Sequence, residues 1–370
     1  MTTSPDPIEM QRSSRDPEEL RQRLETWLAG KLPVDAAPHV AELGATATNG
    51  MSSETLLFDA EWTEDGVRAS HELVGRMAPQ DHDVPVFPSY DLDVQFDVIR
   101  LVGERTDVPV PPTYWYEPDP SHLGAPLFVM GRVEGIVPPD VMPYTFGDNW
   151  LYDASAEDQR RLQDATVAAI AGIHSIAGDD PALGSLSSTK AGGSPLRRHV
   201  DKTRAWYEWT VGDGIRSPLL DRGFDWLDAH WPEHEGSPVL SWGDSRIGNV
   251  MYRDFEPVAV LDWEMVGVGP RELDLGWLSF AHRVFESIAA TFELPGMPHF
   301  LQAEDVADAY ERVTGIRVGP LDWYLAYAGV QWGVVFLRTG QRSAHFGEIV
   351  MPDDVDELMH HRLLLAELIG

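Results

Sequence analysis

The chain has 370 residues, 43% of them hydrophobic, and a formal net charge of -32 at pH 7. So acidic a surface argues against nucleic acid, whose phosphates need clustered Lys and Arg; it suits a cationic partner equally with plain solubility. Zero cysteines exclude disulfides, thiolate catalysis and cysteine-ligated zinc. Such a length predicts two lobes or domains. No apolar run approaches the roughly 18 residues that span a bilayer, and the N-terminus MTTSPDPIEMQRSSRDPEE has no signal-peptide core, so the expectation is a cytoplasmic protein without a membrane partner.

Residues 1–16 are polar and rich in Pro and Ser, followed by Asp16-Pro17-Glu18-Glu19, an N-cap with Pro at the first helical position. The helix behind it carries Leu20, Leu24, Trp27 and Leu28 on one face; together 1–37 form an N-terminal tail and helix. Three strands follow, near His39–Thr46, Glu54–Trp62 and Arg68–Met77. The first link between them, Ala47-Thr48-Asn49-Gly50-Met51-Ser52-Ser53, is a small polar loop of the kind whose N–H groups approach phosphates, although an ordinary hairpin loop would look the same.

Tyr90–Glu104 has a helical pattern, and two further strands, Thr113–Tyr116 and Pro126–Met130, complete a five-stranded small lobe over 38–130. Residues 131–135 read as the turn that follows the last of these strands, and 136–370 as a large lobe. That lobe opens on a Pro- and aromatic-rich excursion over 136–153, then helices near 157–176, 196–211 and 218–231. Towards the C-terminus come helices near 271–291, 303–314, 320–338 and 352–369.

Between these helices lies SPVLSWGDSRIGNVMYRDFEPVAVLDWEMVGVGPRELDLGW, residues 237–277. Val250–Tyr252 and Val258–Leu261 read as a hairpin, which brings Asp244, Asn249 and Asp262 to one end of a two-stranded ribbon. An amide and a carboxylate are hard oxygen ligands, few in number, with room left for phosphate oxygens and water, as Mg²⁺ asks. The spacing D-x-x-x-x-N is that of a kinase catalytic loop, in which the Asp orients the acceptor hydroxyl and the Asn holds Mg²⁺.

The stretch resembles the aminoglycoside phosphotransferase family: Trp242-Gly243-Asp244-Ser245-Arg246-Ile247-Gly248-Asn249 for its HGDxxxxN, Leu261-Asp262-Trp263-Glu264 for its IDWE, and Gly269–Leu275 for its later DPxxDLA-like run. The resemblance implies an α+β, bilobal protein-kinase-like fold, with a five-stranded antiparallel sheet in the small lobe and a mostly helical large lobe. It implies transfer of a phosphoryl group from ATP or GTP to a hydroxylated small molecule, with Asp244 as base, Arg246 neutralising phosphoryl charge or tying down the loop, and Asn249 and Asp262 on Mg²⁺. The polar loop is similar to the family's GxSNxTY, which assigns Asn49, Gly50, Met51, Ser52 and Ser53 to the phosphates. Arg76 falls at the family's phosphate-binding Lys or Arg, and Phe128, Val129 and Met130 at its adenine-binding hinge strand, which makes 131–135 the hinge between the lobes. Two departures stand out: Trp242 replaces a His, and Gln95, counted back from Val108-Pro109-Val110-Pro111, replaces a Glu. They leave a second expectation, a non-catalytic nucleotide- or metabolite-binding protein of the same fold. The acceptor helices carry no motif, and the acceptor is not readable.

Overall fold

The computed structural model describes residues 15–41, 43, 53–140, 142–186, 192–212 and 214–370. Contacts divide the chain into two compact units, one made of residues up to Leu92 together with Tyr114–Arg132, the other of Asp93–Thr113 and Val133–Gly370.

The first unit begins with helix α1, Pro17–Lys31, capped by Asp16, whose side chain accepts from the Glu19 N–H at 2.9 Å. Strands β1 (His39–Val40), β2 (Glu54–Glu64) and β3 (Val67–Met77) follow. Helix α2, Leu92–Arg105, falls almost wholly in the second unit. The first unit resumes with β4 (Thr113–Glu117), the single-turn helix α3 (Pro120–Leu123) and β5 (Leu127–Gly131). The sheet order is β1-β2-β3-β5-β4, with β1–β2, β2–β3 and β3–β5 antiparallel. Of the first expected strand only His39–Val40 is strand, while 42 and 44–46 lie outside the described residues. Along β2 the side chains alternate, and Leu56, Phe58, Ala60 and Trp62 are buried against Leu24, Trp27 and Leu28 of α1. The apolar face read in the helix sequence is the face it packs on the sheet.

The second unit is mostly helical: α4 (Ala156–Ile173), α5 (Pro195–Val211), α6 (Pro218–Ala229), α7 (Glu272–Thr291), α8 (Ala303–Thr314), α9 (Asp322–His345) and α10 (Arg362–Ile369). Two small antiparallel pairs interrupt them: β6 (Pro238–Ser241) with β9 (Gly267–Pro270), and β7 (Val250–Arg253) with β8 (Glu256–Val260). The β7–β8 turn is made by Asp254 and Phe255, both at positive φ (52° and 64°), as a two-residue hairpin turn with right-handed strand twist requires. Phe255 tolerates this conformation while packing on Trp150, ring centroids 5.7 Å apart.

The single helix expected over 352–369 is a 3-10 turn, Val355–Leu358, and the separate α10. Tertiary bonds override the helical pattern there: Asp356 accepts from Ser217 Oγ and from the Leu219 N–H at 3.2 Å, serving the start of α6 instead of its own helix. No helix among the described residues is long and apolar enough to cross a membrane.

Candidate functional site

All residues of the stretch after β6 lie within the second unit. The loop Trp242-Gly243-Asp244 leaves β6, passes through a 3-10 turn at Ile247–Asn249 and enters β7. Gly243 sits at φ +95°, and a Cβ there would come within 2.2 Å of the Met265 carbonyl oxygen, so only glycine lets the loop lie this close to the segment after β8. Asn249 closes the turn: its N–H donates to Arg246 O at 2.9 Å and its Nδ2 to Asp244 O at 3.0 Å. Leu261 is gripped from both sides, its N–H donating to Asn249 O at 2.8 Å and its carbonyl accepting from Trp242 Nε1 at 2.9 Å. Asp262, next in line, is left-handed at φ +59°, a strained conformation that persists only where its surroundings fix it. Trp242 thereby supplies both packing and a hydrogen bond, with its ring 6.2 Å from that of Trp263.

Beneath the loop lies Asp274, 1% exposed on the first turn of α7. Its carboxylate accepts from Ser241 Oγ, Trp242 N–H and Gly243 N–H at 2.8–2.9 Å and pairs with His174 Nε2 at 2.8 Å. Burial alone would raise this carboxyl; the hydrogen bond and charge of His174, with the two backbone N–H groups, outweigh it and hold the group below its ordinary value. His174 is completed by Tyr310, 3.1 Å from Nδ1.

The Asp244 carboxylate receives Trp277 Nε1 on Oδ1 at 2.8 Å and Arg246 Nε across both oxygens at 3.2 and 3.3 Å. Arg246 is also paired with Asp140, from the irregular segment before α4. Burial works against the guanidinium charge, but Asp244 and Asp140 more than offset it, and Asp262 adds to them, so Arg246 is held protonated even more firmly than usual. An arginine shared by two acids is fixed in place.

Of the residues singled out in the sequence, Asp244, Arg246, Asn249 and Asp262 therefore belong to one loop system. Arg76, Phe128, Val129 and Met130 lie in the first unit on neighbouring strands, Arg76 opposite both Thr55 and Phe128, Val129 opposite Gly75, and Met130 opposite Val74. The side chains of all four are buried, and Arg76 Nη1 donates to Thr55 Oγ1 at 3.0 Å. Ser53 is buried just before β2, its hydroxyl unpartnered among the described residues; Asn49, Gly50, Met51 and Ser52 lie outside the described residues. Gln95 is a buried residue of α2. Asn249 and Asp262 offer hard oxygens, and among the described residues no three His, Asp or Glu cluster as a metal site. A cation there would need oxygens from a bound phosphate, which is how Mg²⁺ is usually held. The sequence names the run that holds Asp274 and reads His174 as a structural histidine, but it does not pair the two, and it singles out neither Asp140 nor Trp277. The i, i+3 spacing of Asp274 and Trp277 was the one available signal, since it puts both on one face of α7.

A family model described as "Phosphotransferase enzyme family" matches residues 61–314. Among curated proteins the chain is 27% identical over 223 residues to "Probable acyl-CoA dehydrogenase IBR3" of Arabidopsis thaliana, covering 57% of this chain and 26% of that protein. It is 26% identical over 324 residues to acyl-CoA dehydrogenase family member 11 of Rattus norvegicus, covering 84% of this chain and 38% of that protein. The chain thus spans between a quarter and two fifths of the length of these relatives. Among solved structures it is similar to a Ralstonia eutropha JMP134 protein classed as an aminoglycoside phosphotransferase, with TM-score 0.64, 20% identity and coverage of 94% of this chain and 96% of that one. A thermostable mutant of aminoglycoside phosphotransferase APH(4)-Ia, in ternary complex with ADP and hygromycin B, gives TM-score 0.54 at 16% identity, covering 93% and 98%. These likenesses show the fold, an α+β, bilobal kinase-like one.

Proposed function

The chain belongs to the phosphotransferase enzyme family, and from that premise we propose that it transfers the γ-phosphoryl group of ATP or GTP to a hydroxyl of a small molecule. The observation that carries the reading is the loop itself: an aspartate carboxylate held by Trp277 and Arg246 on a clamped backbone, with an amide closing the same turn and a second aspartate directly after the doubly bonded Leu261.

Asp244 orients the acceptor hydroxyl and accepts its proton. Arg246, immobilised between Asp244 and Asp140, places a permanent positive charge beside that base and holds the loop down. Asn249 and Asp262 are the residues that would hold Mg²⁺, which supplies neutralisation of the phosphate charge. Arg76 is assigned to the nucleotide phosphates, together with the loop Asn49–Ser53, and the strand Phe128–Met130 to adenine. Because phosphoryl transfer passes through a loose transition state, catalysis rests on positioning and electrostatics, which this set of residues can provide. The acceptor class is a hydroxylated small molecule, in keeping with the hygromycin B bound by the APH(4)-Ia neighbour; the acidity of the chain suits a cationic one.

The test is phosphoryl transfer from Mg-ATP and Mg-GTP over a panel of hydroxylated small molecules, with two near-isosteric variants. Asp244→Asn is expected to lower turnover by roughly 10²–10⁴, the contribution of a general base, with nucleotide affinity barely changed. Asp262→Asn is expected to weaken nucleotide binding as well, and only when Mg²⁺ is present. Full activity in Asp244→Asn would remove the catalytic assignment. The other reading, a non-catalytic binding protein, finds support in the neutral Gln95, and it predicts nucleotide binding with no turnover for either variant to lose.

A further inference from the structure

We propose that Trp277 is a positioning residue for phosphoryl transfer: its indole N–H fixes one carboxylate oxygen of Asp244 and leaves the other to take the acceptor's proton. The proposal rests on the phosphotransfer reading above and adds a residue to it.

Asp274 and Trp277 stand three apart on α7 and project from one face of the helix. Asp274 takes the backbone N–H groups of Trp242 and Gly243, and Trp277 takes the side chain of the very next residue, Nε1 to Asp244 Oδ1 at 2.8 Å. One helix face therefore sets both the path of the loop and the orientation of its carboxylate.

The other partner of Asp244 does not do this. Arg246 Nε lies 3.2 and 3.3 Å from the two oxygens, long for a charge-assisted bond, and the same guanidinium is shared with Asp140. The shortest bond on the carboxylate thus comes from a neutral group. The terminal torsion of an aspartate is broad, so a single strong donor on Oδ1 decides where Oδ2 points. Indole nitrogen donates and never accepts, hence no proton can be relayed through Oδ1 to Trp277. As the acceptor oxygen bonds to the γ-phosphorus and the bond to the departing nucleoside diphosphate breaks, the hydroxyl proton passes to Oδ2.

Trp277 is itself immobilised. It is 4% exposed, its ring packs on Trp332 of α9 with centroids 5.8 Å apart, and Trp332 is backed by Phe280, Phe285 and Phe336 at 5.8–6.2 Å. Enclosure of this kind holds the indole in place, so its N–H is a fixed reference for the base.

The test uses the whole chain. In a ¹⁵N-labelled sample the protein's 13 tryptophans give separate indole signals, and the one lost in Trp277→Phe is expected to move in Asp244→Ala. Background hydrolysis of Mg-ATP, with water as acceptor, is expected to show a kcat reduced about 10- to 100-fold in Trp277→Phe, a mispositioning effect. KM for ATP and the melting temperature should stay close to those of the parent. In an Asp244→Ala background the same substitution should cost nothing further, the mark of two residues acting as one. An indole signal indifferent to Asp244→Ala, an unchanged kcat, or a fully additive loss would each overturn the proposal. Absence of turnover in the parent chain with every acceptor would instead sink the phosphotransfer reading, and the indole signal would then decide the Trp277–Asp244 bond alone. Should Trp277→Phe fail to fold, the decisive observation is whether Asp244→Ala moves a single indole signal.

Discussion

Arg76 shows what a single residue in a strand can and cannot carry. It stands on β3 between Thr55 of β2 and Phe128 of β5, its guanidinium donating to Thr55 Oγ1 at 3.0 Å. Three lysines occur in the whole chain, Lys31, Lys190 and Lys202, so the proposed phosphate contact falls to an arginine, which binds phosphate bidentately and stays charged. Arg76→Ala is expected to weaken nucleotide binding measured by calorimetry while acceptor affinity holds, and Arg76→Lys to recover part of the loss; unaltered nucleotide affinity in the alanine variant would unseat the assignment. Candidates of this kind can be named from sequence because the proposed chemistry restricts the residue type and its spacing, as for Asp244, Asn249 and Asp262. Trp277 and Asp140 were not legible. In a chain with 13 tryptophans, an indole that donates to the Asp244 carboxylate looks like any core tryptophan, and Asp140 sits in an irregular segment whose path no periodicity predicts. Trp242 was legible only as a departure, and its bond to Leu261 O shows that a different ring can tie the loop.

At the scale of elements, α7 does the most to shape the site. Its polar first turn enters the core because Asp274 finds four partners there, and its close packing on α9 depends on Gly276. A Cβ on Gly276 would meet Tyr324 Cβ at 2.8 Å and the Tyr324 carbonyl carbon at 3.1 Å, so the two helices approach with no room for a methyl. Gly276→Ala is expected to push α7 from α9 and to destabilise by about 1–3 kcal/mol, the usual cost of overpacking, against a small gain in helix propensity of roughly 1 kcal/mol. Urea unfolding measures the net effect, and a stabilised variant would show that the helices separate without strain. The helices themselves were readable from their periodicity and caps. The β6–β9 pair was not, since four-residue strands leave too little pattern, and neither was the break before α10, where Asp356 is claimed by Ser217 and Leu219.

For the whole molecule the acid limb of stability draws on three histidines that burial pushes down to about 4: His199, beside Tyr327, and the core pair His282 and His361. His282 is 0% exposed, with Nε2 on Met297 O at 3.1 Å and Nδ1 on Tyr144 OH at 3.0 Å; His361 is 1% exposed, with Nε2 on Gly329 O at 2.9 Å. In each the nitrogen facing a carbonyl carries a proton, and burial disfavours a second proton on Nδ1. Burial is the main cause that pushes both down from 6.5 to about 4. Their folded values lie below the unfolded one, so the neutral rings favour the native state above about pH 6.5, and this stability is lost as pH falls toward 4. Between those limits the unfolded chain binds the extra proton, and each histidine costs up to about 1.4 kcal/mol per pH unit. Asp274, also depressed, loses its contribution only below the ordinary carboxylate range, outside this window. Self-repulsion acts the other way: a chain at -32 sheds charge on acidification, which relieves strain between like charges. The two tendencies separate by substitution, since His282→Asn with His361→Gln removes two of the three histidine contributions, His199 keeping its own, and leaves the charge intact. Denaturant unfolding from pH 7.5 to 5 is expected to show stability falling in the parent and a flatter curve in the double variant. Equal slopes in the two would mean that these histidines become charged without unfolding the core around them.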